Sequence, residues 1–310
     1  MTFIKSLNGM IEAAASRPPV RAAIVHPTRA VVMHSLQKAL AQHLIEPVLV
    51  GPEHRIRAAA EEAQLDISAF RLVPTEHSHA AAEAAVQLAR DGEVAALIKG
   101  DLATGEVMEP VVGRQNGIRT ERRLSHVFVL EVATYPKLLL ITDAAINIQP
   151  TLDDKRDITQ NAIDLAHALG IDEPRVAIMS AIEKVNSRLQ STVDAAALCK
   201  MADRGQITGG ILDGPLAFDN AISAEAAHEK GIRSAVSGHT DIMVVPDLES
   251  GNLVAKQLRY LADARTAGIV LGARVPIALN SRSEDAFARY ASMALVSLYV
   301  SWQQANTRNR

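Results

Sequence analysis

The chain has few of the residues that mark several common classes of protein. Among its 310 residues there is one cysteine, Cys199, so neither an intramolecular disulfide nor a multi-cysteine metal site is available. Cys199 lies in an apolar helical pattern, which is typical of an inert buried thiol. No apolar run approaches the roughly 20 residues that cross a bilayer, and the first residues show no signal-peptide pattern. These absences predict a cytoplasmic protein.

Neither sign of charge is in excess. Lys and Arg number 32 and Asp and Glu number 35, so the two nearly balance. Such a chain has no net field that would attract nucleic acid or an anionic membrane. We therefore expect neither partner, and any site for an anion must be local.

The sequence also lacks the usual loops and clusters that hold cofactors. No Gly-x-Gly-x-x-Gly follows an apolar strand and no Gly-x-x-x-x-Gly-Lys-Ser/Thr occurs, which disfavours a Rossmann dehydrogenase and a P-loop enzyme. The 10 histidines are scattered without metal-ligand spacing. Four aspartates fall on separate elements, where helix capping is the more common role than Mg²⁺ binding: Asp213, Asp219, Asp241 and Asp247. We predict no metal and no bound cofactor.

Apolar residues make up 48% of the chain and aromatic residues only 3%, which is typical of α/β proteins. The length favours two domains, and short apolar runs alternating with amphipathic stretches predict repeated β-α units with mostly parallel sheets. The predicted strands are 21–25, 47–50, 70–73, 95–98, 127–131, 138–141, 176–179, 210–212, 242–245, 267–271 and 275–279. The predicted helices include 34–43, 53–63, 79–90, 158–169, 192–203, 221–230, 252–261 and 285–302.

Polar residues directly follow several of these strands. The carboxyl ends of strands in an α/β sheet are where ligands bind, so these groups are expected to gather around one ligand. The alternative, which holds for any one of them alone, is that they end strands and cap helices. The segments are Lys99-Gly100-Asp101, Thr142-Asp143, Asp213-Gly214-Pro215, Pro246-Asp247 and Ser281-Arg282-Ser283-Glu284-Asp285. The last of these brings a serine, a guanidinium and two carboxylates together, which suits an anionic substrate.

Two further features are candidates for binding. Gly251-Asn252 is predicted to open a helix at Asn252, where unpaired backbone amides and the helix dipole suit a phosphate. His126, at the start of a predicted strand, is the histidine of interest, with a structural hydrogen bond as the alternative to catalysis.

Taken in series, several segments resemble the phosphate acetyltransferase/phosphate butyryltransferase family. They occur in the family's order from Lys99 onward, and the Asp-Gly-Pro-Leu, Pro-Asp-Leu-x-x-Gly-Asn and Ser-Arg motifs together are far more specific than any one alone. The resembling stretches are 99–120, 124–127, 142–147, 212–221, 245–252 and 280–282.

The resemblance implies an α/β fold of the isocitrate/isopropylmalate dehydrogenase type, with two domains, an interdomain cleft and a homodimer. Residues 1–140 and 272–310 are expected to form the N-terminal domain, and residues 141–271 a second domain with the dimer interface. The implied activity is reversible transfer of a short acyl group, acetyl or butyryl, between coenzyme A and orthophosphate. Coenzyme A is then a substrate and not a bound cofactor.

The resemblance also assigns catalytic roles. Ser281 and Arg282 are expected to act near the reacting carbonyl and phosphate. In the direction that consumes acyl phosphate, the coenzyme A thiol must lose its proton before it attacks, and a carboxylate can serve as the base. The base of acetyl-type relatives would fall at Ala288, but butyryl-type relatives place an acid at the position of Glu284. Glu284 is therefore the expected base, with Asp285 second.

Substrate binding is assigned in the same way. Met108 stands where many relatives carry an arginine that faces the phosphate, so Arg119, Arg122 or Arg123 is expected to supply that charge. The residues expected to bind substrate are Lys99, Thr104, Arg119, Ser125, His126, Asp143, Asp213, Asp247, Gly251 and Asn252.

Two other functions stay open from the sequence. One is a metal- and NAD-dependent hydroxyacid dehydrogenase on the same scaffold, since a shared fold does not fix function. The other is a catalytically degenerate coenzyme A-binding protein, which the residues at Ala288 and Met108 would allow.

Overall fold

The computed structural model describes residues 3–308, with side chains through residue 306. The chain folds into two compact units. Of the described residues, the first unit comprises Asn8–Arg122 and 267–308, and the second unit comprises Arg123–Thr266 and 3–7. The change of unit that the sequence placed after residue 140 therefore falls at Arg123, because the strand that begins at Ser125 pairs with the strand after it.

Strands and helices alternate along the described chain. The strands are β1 (Val20–Val25), β2 (Ile45–Gly51), β3 (Arg71–Pro74), β4 (Ala96–Lys99), β5 (Ser125–Glu131), β6 (Leu139–Thr142), β7 (Arg175–Met179), β8 (Ile211–Leu216), β9 (Ile242–Val244), β10 (Arg265–Leu271) and β11 (Ile277–Ala278). The helices are α1 (Leu7–Ala15), α2 (Ala30–Ala41), α3 (Glu53–Glu62), α4 (Ser78–Arg90), α5 (Thr104–Val111), α6 (Leu152–Ala168), α7 (Gln190–Asp203), α8 (Phe218–Ile222), α9 (Ala224–Glu229), α10 (Leu248–Leu261) and α11 (Ala286–Arg308).

The first unit is built on strands in the order β3-β2-β1-β4-β11-β10. All neighbouring pairs are parallel except β10 and β11, which are antiparallel. The chain runs outward from β1 to β3 and then returns to place β4 on the other side of β1. This reversal is a topological switch point, where the loops at the carboxyl ends of two neighbouring strands diverge and leave a crevice.

The second unit carries strands in the order β5-β6-β9-β7-β8. Here β5 and β6 are antiparallel, and the other pairs are parallel. Its interior is lined by apolar side chains from these strands and from α8 and α10, as expected for a sheet covered by helices. Capping fixes where its helices start: the Thr151 hydroxyl accepts a hydrogen bond from the Asp154 amide at the start of α6.

The pattern of apolar runs predicted every strand of the described chain to within a few residues at each end. It missed α1 and α5, which are short. The predicted helix over 221–230 is divided at Ser223, whose side chain accepts a hydrogen bond from the Ala226 amide and so starts α9. Within the described chain, no helix is both long and apolar enough to cross a membrane.

Gly100, directly after β4, allows two backbone segments of the first unit to approach each other. A Cβ atom at this position would lie 2.4 Å from the Val25 carbonyl oxygen and 2.6 Å from that of His26. The Gly100 amide donates a hydrogen bond to the Val25 carbonyl at 2.9 Å. The loop after β4 therefore lies against the end of β1 only because residue 100 has no side chain.

We expect Gly100→Ala to destabilise the protein, because its Cβ atom would overlap backbone atoms that cannot rotate away. A loss of about 1–3 kcal/mol in the free energy of unfolding is typical of such overpacking. Urea unfolding measures it. Gly105→Ala is the matched control, since a Cβ atom there would have nothing within 4 Å. Equal denaturation midpoints for Gly100→Ala and wild type would contradict the expectation.

Candidate functional site

The candidate site of the first unit lies at the carboxyl ends of β1, β4 and β11. In the register of the sheet, Val25 of β1 is paired with Lys99 of β4, and Ile98 of β4 with Ala278 of β11. The three segments that follow these strands therefore start at the same level of the sheet. They carry charged and hydroxyl side chains at the switch point between β1 and β4, where an α/β sheet binds its ligands.

Lys99, the last residue of β4, is buried, with 2% of its surface exposed. Its Nζ donates a hydrogen bond to the Asn280 carbonyl at 3.1 Å. Burial lowers the pKa of Lys99 to about 8, and the positive charges of Arg289 and Arg282 contribute to the shift, while Asp101 and Glu284 oppose it. Lys99 is thus tied to the chain that follows β11.

Residues 279–285, which we name the Ser281 turn, are held by buried hydrogen bonds. The Glu284 carboxylate accepts a hydrogen bond from the Ser281 amide at 2.9 Å and another from the Asn280 side-chain amide at 2.7 Å, both at Oε2. Asn280 Nδ2 is also 3.0 Å from the Ser292 hydroxyl. The turn ends where Asp285 accepts a hydrogen bond from the Ala288 amide at the start of α11. Its backbone is therefore shaped by interior contacts.

The side chains at the top of this turn are the exposed ones. The Ser281 hydroxyl is 3.1 Å from the Ser283 hydroxyl, and the Arg282 side chain is 59% exposed. An Nη atom of Arg282 lies 3.9 Å from a carboxylate oxygen of Glu106, on α5. Because the Arg282 guanidinium is exposed and this ion pair is long, it can turn to an anionic ligand at little cost.

Glu284 and Asp285, the two carboxylates predicted as candidate bases, have structural contacts. Glu284 is 5% exposed and shapes the turn, and Asp285 caps α11. A role for Glu284 as the base stays a prediction. The Glu284 carboxylate accepts hydrogen bonds from Asn280 and Ser281 and so holds the turn in shape.

The segment after β1 adds three side chains that sequence reasoning did not single out. His26 is buried and has a left-handed backbone, with φ of 54°. Its Nδ1 donates a hydrogen bond to the Asp101 carbonyl at 2.7 Å. Burial lowers the pKa of His26, so the neutral ring is favoured. Arg29 and Thr28 face the Asp101 carboxylate, at 3.8 Å and 3.5 Å.

Thr104, Met108 and Arg119 also belong to the first unit. Thr104 is the first residue of α5, a helix whose start is fixed by Glu106, since the Glu106 carboxylate accepts a hydrogen bond from the Ala103 amide. Met108 is buried in the same helix. Arg119 is exposed and forms an isolated bridge with Ala273. Substrate contacts by Thr104 and Arg119 stay predictions.

Asp143, after β6, organises a loop of the second unit. Its carboxylate accepts hydrogen bonds from the amides of His126, Ala145, Ile146 and Asn147 and from the Asn147 side chain, at 2.6–3.2 Å. Burial raises the pKa of Asp143, and these donors oppose the shift. A buried carboxylate that accepts this many hydrogen bonds holds the loop in place, which is a structural role. Direct contact of Asp143 with substrate stays a prediction.

Ser125 and His126 lie in the interior of the second unit. Neither has exposed surface. The Ser125 hydroxyl accepts a hydrogen bond from the Asn161 side chain at 2.8 Å, and the His126 ring lies 4.3 Å from the Phe128 ring, edge to face. A structural hydrogen bond of His126 and substrate contacts by Ser125 and His126 stay predictions.

The prediction that Gly251-Asn252 opens a helix is wrong. Helix α10 begins earlier, at Leu248, and Asp247 caps it by accepting a hydrogen bond from the Ser250 amide at 2.8 Å. Gly251 lies inside the helix, where a Cβ atom would be 2.6 Å from Val245 Cγ2. Asn252 donates a hydrogen bond to the Ala144 carbonyl at 3.1 Å. Gly251 therefore allows α10 to pack closely against Val245, and Asn252 links α10 to the loop after β6.

Asp213 and Cys199 lie at the other edge of the second unit. The Asp213 carboxylate accepts a hydrogen bond from the Gly214 amide at 2.8 Å, within β8. Burial raises the pKa of Cys199 to about 12, and the nearby Asp213 carboxylate adds to the shift. A raised pKa lowers the fraction of thiolate at neutral pH, which favours an inert thiol over a nucleophile. Among the described residues, no group of three or more metal-ligating side chains is present.

Comparison with known proteins places the chain among acyl-transferring enzymes. A family model described as phosphate acetyl/butaryl transferase matches residues 79–296. The chain is 55% identical over 288 residues to a phosphate acetyltransferase of Rickettsia felis, covering 93% of this chain and 82% of that protein. It is 39% identical over 267 residues to a phosphate butyryltransferase of Clostridium beijerinckii, covering 86% and 88%.

A solved structure gives the same result for the fold. The branched-chain phosphotransacylase of Enterococcus faecalis superposes with a TM-score of 0.79 at 27% identity, covering 91% of this chain and 99% of that one. Other solved phosphotransacylases and a solved dehydrogenase share this mostly parallel α/β architecture, which confirms the fold class predicted from the sequence.

The buried Lys99 predicts that stability rises with pH above about 8. Its pKa is about 8 in the folded protein and 10.5 in an ordinary lysine, so between these values the unfolded chain binds more protons and rising pH favours the folded state. From about pH 8 to about pH 10, the free energy of unfolding of wild type should rise by about 2 kcal/mol relative to Lys99→Met. Urea unfolding at each pH measures it. Lys256→Met, at an exposed lysine of α10, is the control. Parallel curves for wild type and Lys99→Met would contradict the prediction.

Proposed function

The chain belongs to the phosphate acetyltransferase/phosphate butyryltransferase family, and we propose that its Ser281 turn carries the family's reversible transfer of a short-chain acyl group between coenzyme A and orthophosphate. The observation that carries this proposal is the placement of Ser281 and the exposed Arg282 on a turn fixed by buried contacts at the carboxyl end of β11, beside β4 and the switch point between β4 and β1. Ser281 and Arg282 are thus presented where a ligand can reach them.

The chemistry follows from charge. When orthophosphate attacks the thioester, a carbon-oxygen bond forms, the carbon-sulfur bond breaks, and the thiolate leaves. The Arg282 guanidinium holds a phosphate oxygen and balances the negative charge of the attacking group. The Ser281 hydroxyl donates to the oxygen that develops charge on the acyl carbon. In the reverse direction Glu284 is the proposed base for the thiol.

In this scheme, most of the rate acceleration comes from aligning the two substrates with each other. No covalent intermediate with the protein is required, because the thioester is already reactive toward an oriented phosphate. Coenzyme A takes part as a substrate, and the reaction as written involves no metal or bound cofactor. We propose that the reaction takes place in the cytoplasm. A single cysteine, which cannot form an intramolecular disulfide, is consistent with that reducing compartment.

Acetyl is the proposed acyl group. Its support is the higher identity of the chain to a phosphate acetyltransferase, 55%, than to a phosphate butyryltransferase, 39%. Two features resemble the butyryl type: Glu284, which stands three residues after the serine, and the Asp-Gly-Pro-Leu-x-x-Asp-Asn-Ala segment at residues 213–221. The rates with acetyl-, propionyl- and butyryl-coenzyme A distinguish the two branches directly.

Thiol release from acetyl-coenzyme A tests the function. We expect release that requires added phosphate, and we expect Arg282→Ala to lower kcat/KM for phosphate by on the order of 10²-fold, because a charge-assisted contact is lost. Arg204→Ala, at an exposed arginine after α7, is the control and should match wild type.

Four outcomes would contradict this proposal, in whole or in part. Thiol release that ignores phosphate would exclude the reaction. Coenzyme A binding without any turnover would select the degenerate binding protein. Metal-dependent reduction of NAD with a hydroxyacid would select the dehydrogenase. Unchanged activity of Arg282→Ala would leave the reaction intact and remove Arg282 from it.

We also propose a homodimer formed through the second unit. Helix α10 exposes a stripe of large apolar side chains, with Leu253, Tyr260 and Leu261 exposed at 69%, 64% and 82%. Leu253 and Tyr260 are seven residues apart and so share one face of the helix. Ile148, 70% exposed, adjoins the start of α10, where the Leu248 amide donates to its carbonyl. An apolar stripe of this kind favours burial against a second copy.

Replacing Leu253 and Leu261 together with Glu should give a monomer, because two carboxylates would have to be buried in the interface. Analytical ultracentrifugation measures the mass of wild type and variant. Arg204→Glu, directly after α7 of the same unit, serves as the control and should stay dimeric. A wild type that sediments as a monomer at all concentrations, or a double variant that remains a dimer, would contradict the proposed interface.

A further inference from the structure

Arg289 is a buried arginine for which the acyl-transfer scheme has no role. It lies on α11, one turn after the start of the helix, and is 3% exposed. Its Nη2 donates a hydrogen bond to the Ser281 carbonyl at 3.0 Å. Among the described residues its Nε and Nη1 atoms are buried without a hydrogen-bond partner. A buried guanidinium is costly in free energy, so a single carbonyl contact calls for an explanation.

Lys99 makes the neighbouring contact from the other side of the turn. Its Nζ donates to the Asn280 carbonyl at 3.1 Å, and it too is buried. Two buried cations thus hold two successive carbonyls of one short segment. Both come from elements of the same unit, β4 and α11, so the geometry is that of a single folded body.

These two carbonyls belong to the peptide planes on either side of Ser281. The Asn280 carbonyl lies in the plane that joins Asn280 to Ser281, and the Ser281 carbonyl lies in the plane that joins Ser281 to Arg282. The first plane is held at both ends, because its N–H, the Ser281 amide, donates to Glu284 Oε2. The second plane is held by Arg289, which donates to its carbonyl. Because the two consecutive planes are fixed, the φ and ψ angles of Ser281 between them are fixed as well.

We propose that Arg289 is a positioning residue for acyl transfer: by holding the Ser281 carbonyl, it sets the peptide plane that aims the Ser281 hydroxyl and the Arg282 side chain at the reacting groups. This inference rests on the proposed function for its catalytic consequence, although the geometry it describes does not. Arg289 itself is 3% exposed, so we assign it a role through the Ser281 carbonyl and not through contact with substrate.

Electrostatics explains why the position suits an arginine. Glu284, Asp285 and Asp101 are the acidic groups that act on Arg289, and Arg29 and Lys99 are the cations that oppose them. A guanidinium keeps its charge at any working pH and has a planar, directional set of donors. An arginine therefore keeps both its charge and its bond to Ser281 O in an environment where the neighbouring lysine has a lowered pKa.

Three substitutions at one position separate charge from hydrogen bonding. Arg289→Met removes both, Arg289→Gln keeps an N–H donor without charge, and Arg289→Lys keeps a charge and a donor. We expect kcat of Arg289→Met to fall on the order of 10²-fold with KM for acetyl-coenzyme A and phosphate little changed, because misplacement of reacting groups costs rate more than binding. Arg289→Lys should recover most of kcat, and Arg289→Gln should be intermediate.

The control is the loss of a buried cation elsewhere. Lys155, 5% exposed, pairs with Asp194 at 2.7 Å in the second unit, whereas the Ser281 turn belongs to the first unit. Lys155→Met should lower the melting temperature without the selective loss of kcat. If Arg289→Met does not fold, Arg289→Gln and Arg289→Lys carry the comparison.

A measurement without substrate tests positioning itself. Amide hydrogen exchange of Ser281, whose N–H is held by Glu284, should become roughly tenfold faster in Arg289→Met and stay unchanged in Lys155→Met. A kcat within about twofold of wild type in Arg289→Met would overturn the proposal. So would equal acceleration of Ser281 exchange in the two variants. If wild type shows no phosphate-dependent thiol release, the proposed function fails, and the exchange of Ser281 then decides the positioning role by itself.

Discussion

The candidate site depends on hydrogen bonds from two buried cations to adjacent backbone carbonyls. Removing an ammonium and a guanidinium from water is costly, and the cost is offset only where acidic groups and acceptors are already in place. Here Glu284 and Asp101 supply the charge, and the Asn280 and Ser281 carbonyls supply the acceptors. The result is a turn whose backbone is rigid and whose reactive side chains remain accessible. Such preorganisation lowers the entropy that must be lost when two substrates are aligned.

The order of strands explains why these groups meet. Strand β11 is paired with β4, so the Ser281 turn starts level with Lys99. Gly100 then lets the loop after β4 lie against the end of β1, which brings Asp101 to His26. Charged groups from three stretches of chain far apart in sequence thus share one edge of the sheet, and each contact is a consequence of strand register.

Much of this architecture could be predicted from the sequence, because apolar runs with turn residues at their ends encode strands directly. The rule that ligands lie beyond the carboxyl ends of strands drew attention to Lys99 and Ser281-Arg282, and the structure brings the segments after β4 and β11 together. The same rule applied to the first strand would have found His26 and Arg29. Arg289 gave no such signal: it stands in the apolar stripe of a helix, and only the structure shows that its side chain turns back to the Ser281 carbonyl. The start of α10 was misplaced because a glycine-asparagine pair resembles a helix boundary, whereas Asp247 had already capped the helix.

The sheet of the first unit has a consequence for biosynthesis. Strand β11 lies between β4 and β10 and comes from the chain after Ala267, although β1 to β4 are translated long before it. While the ribosome is making Arg123–Thr266, the far edge of β4 has no neighbour, and an open strand edge is prone to wrong pairing. The second unit can fold as it emerges from the ribosome. The sheet of the first unit is completed only after the C-terminal segment with β11 has been synthesised.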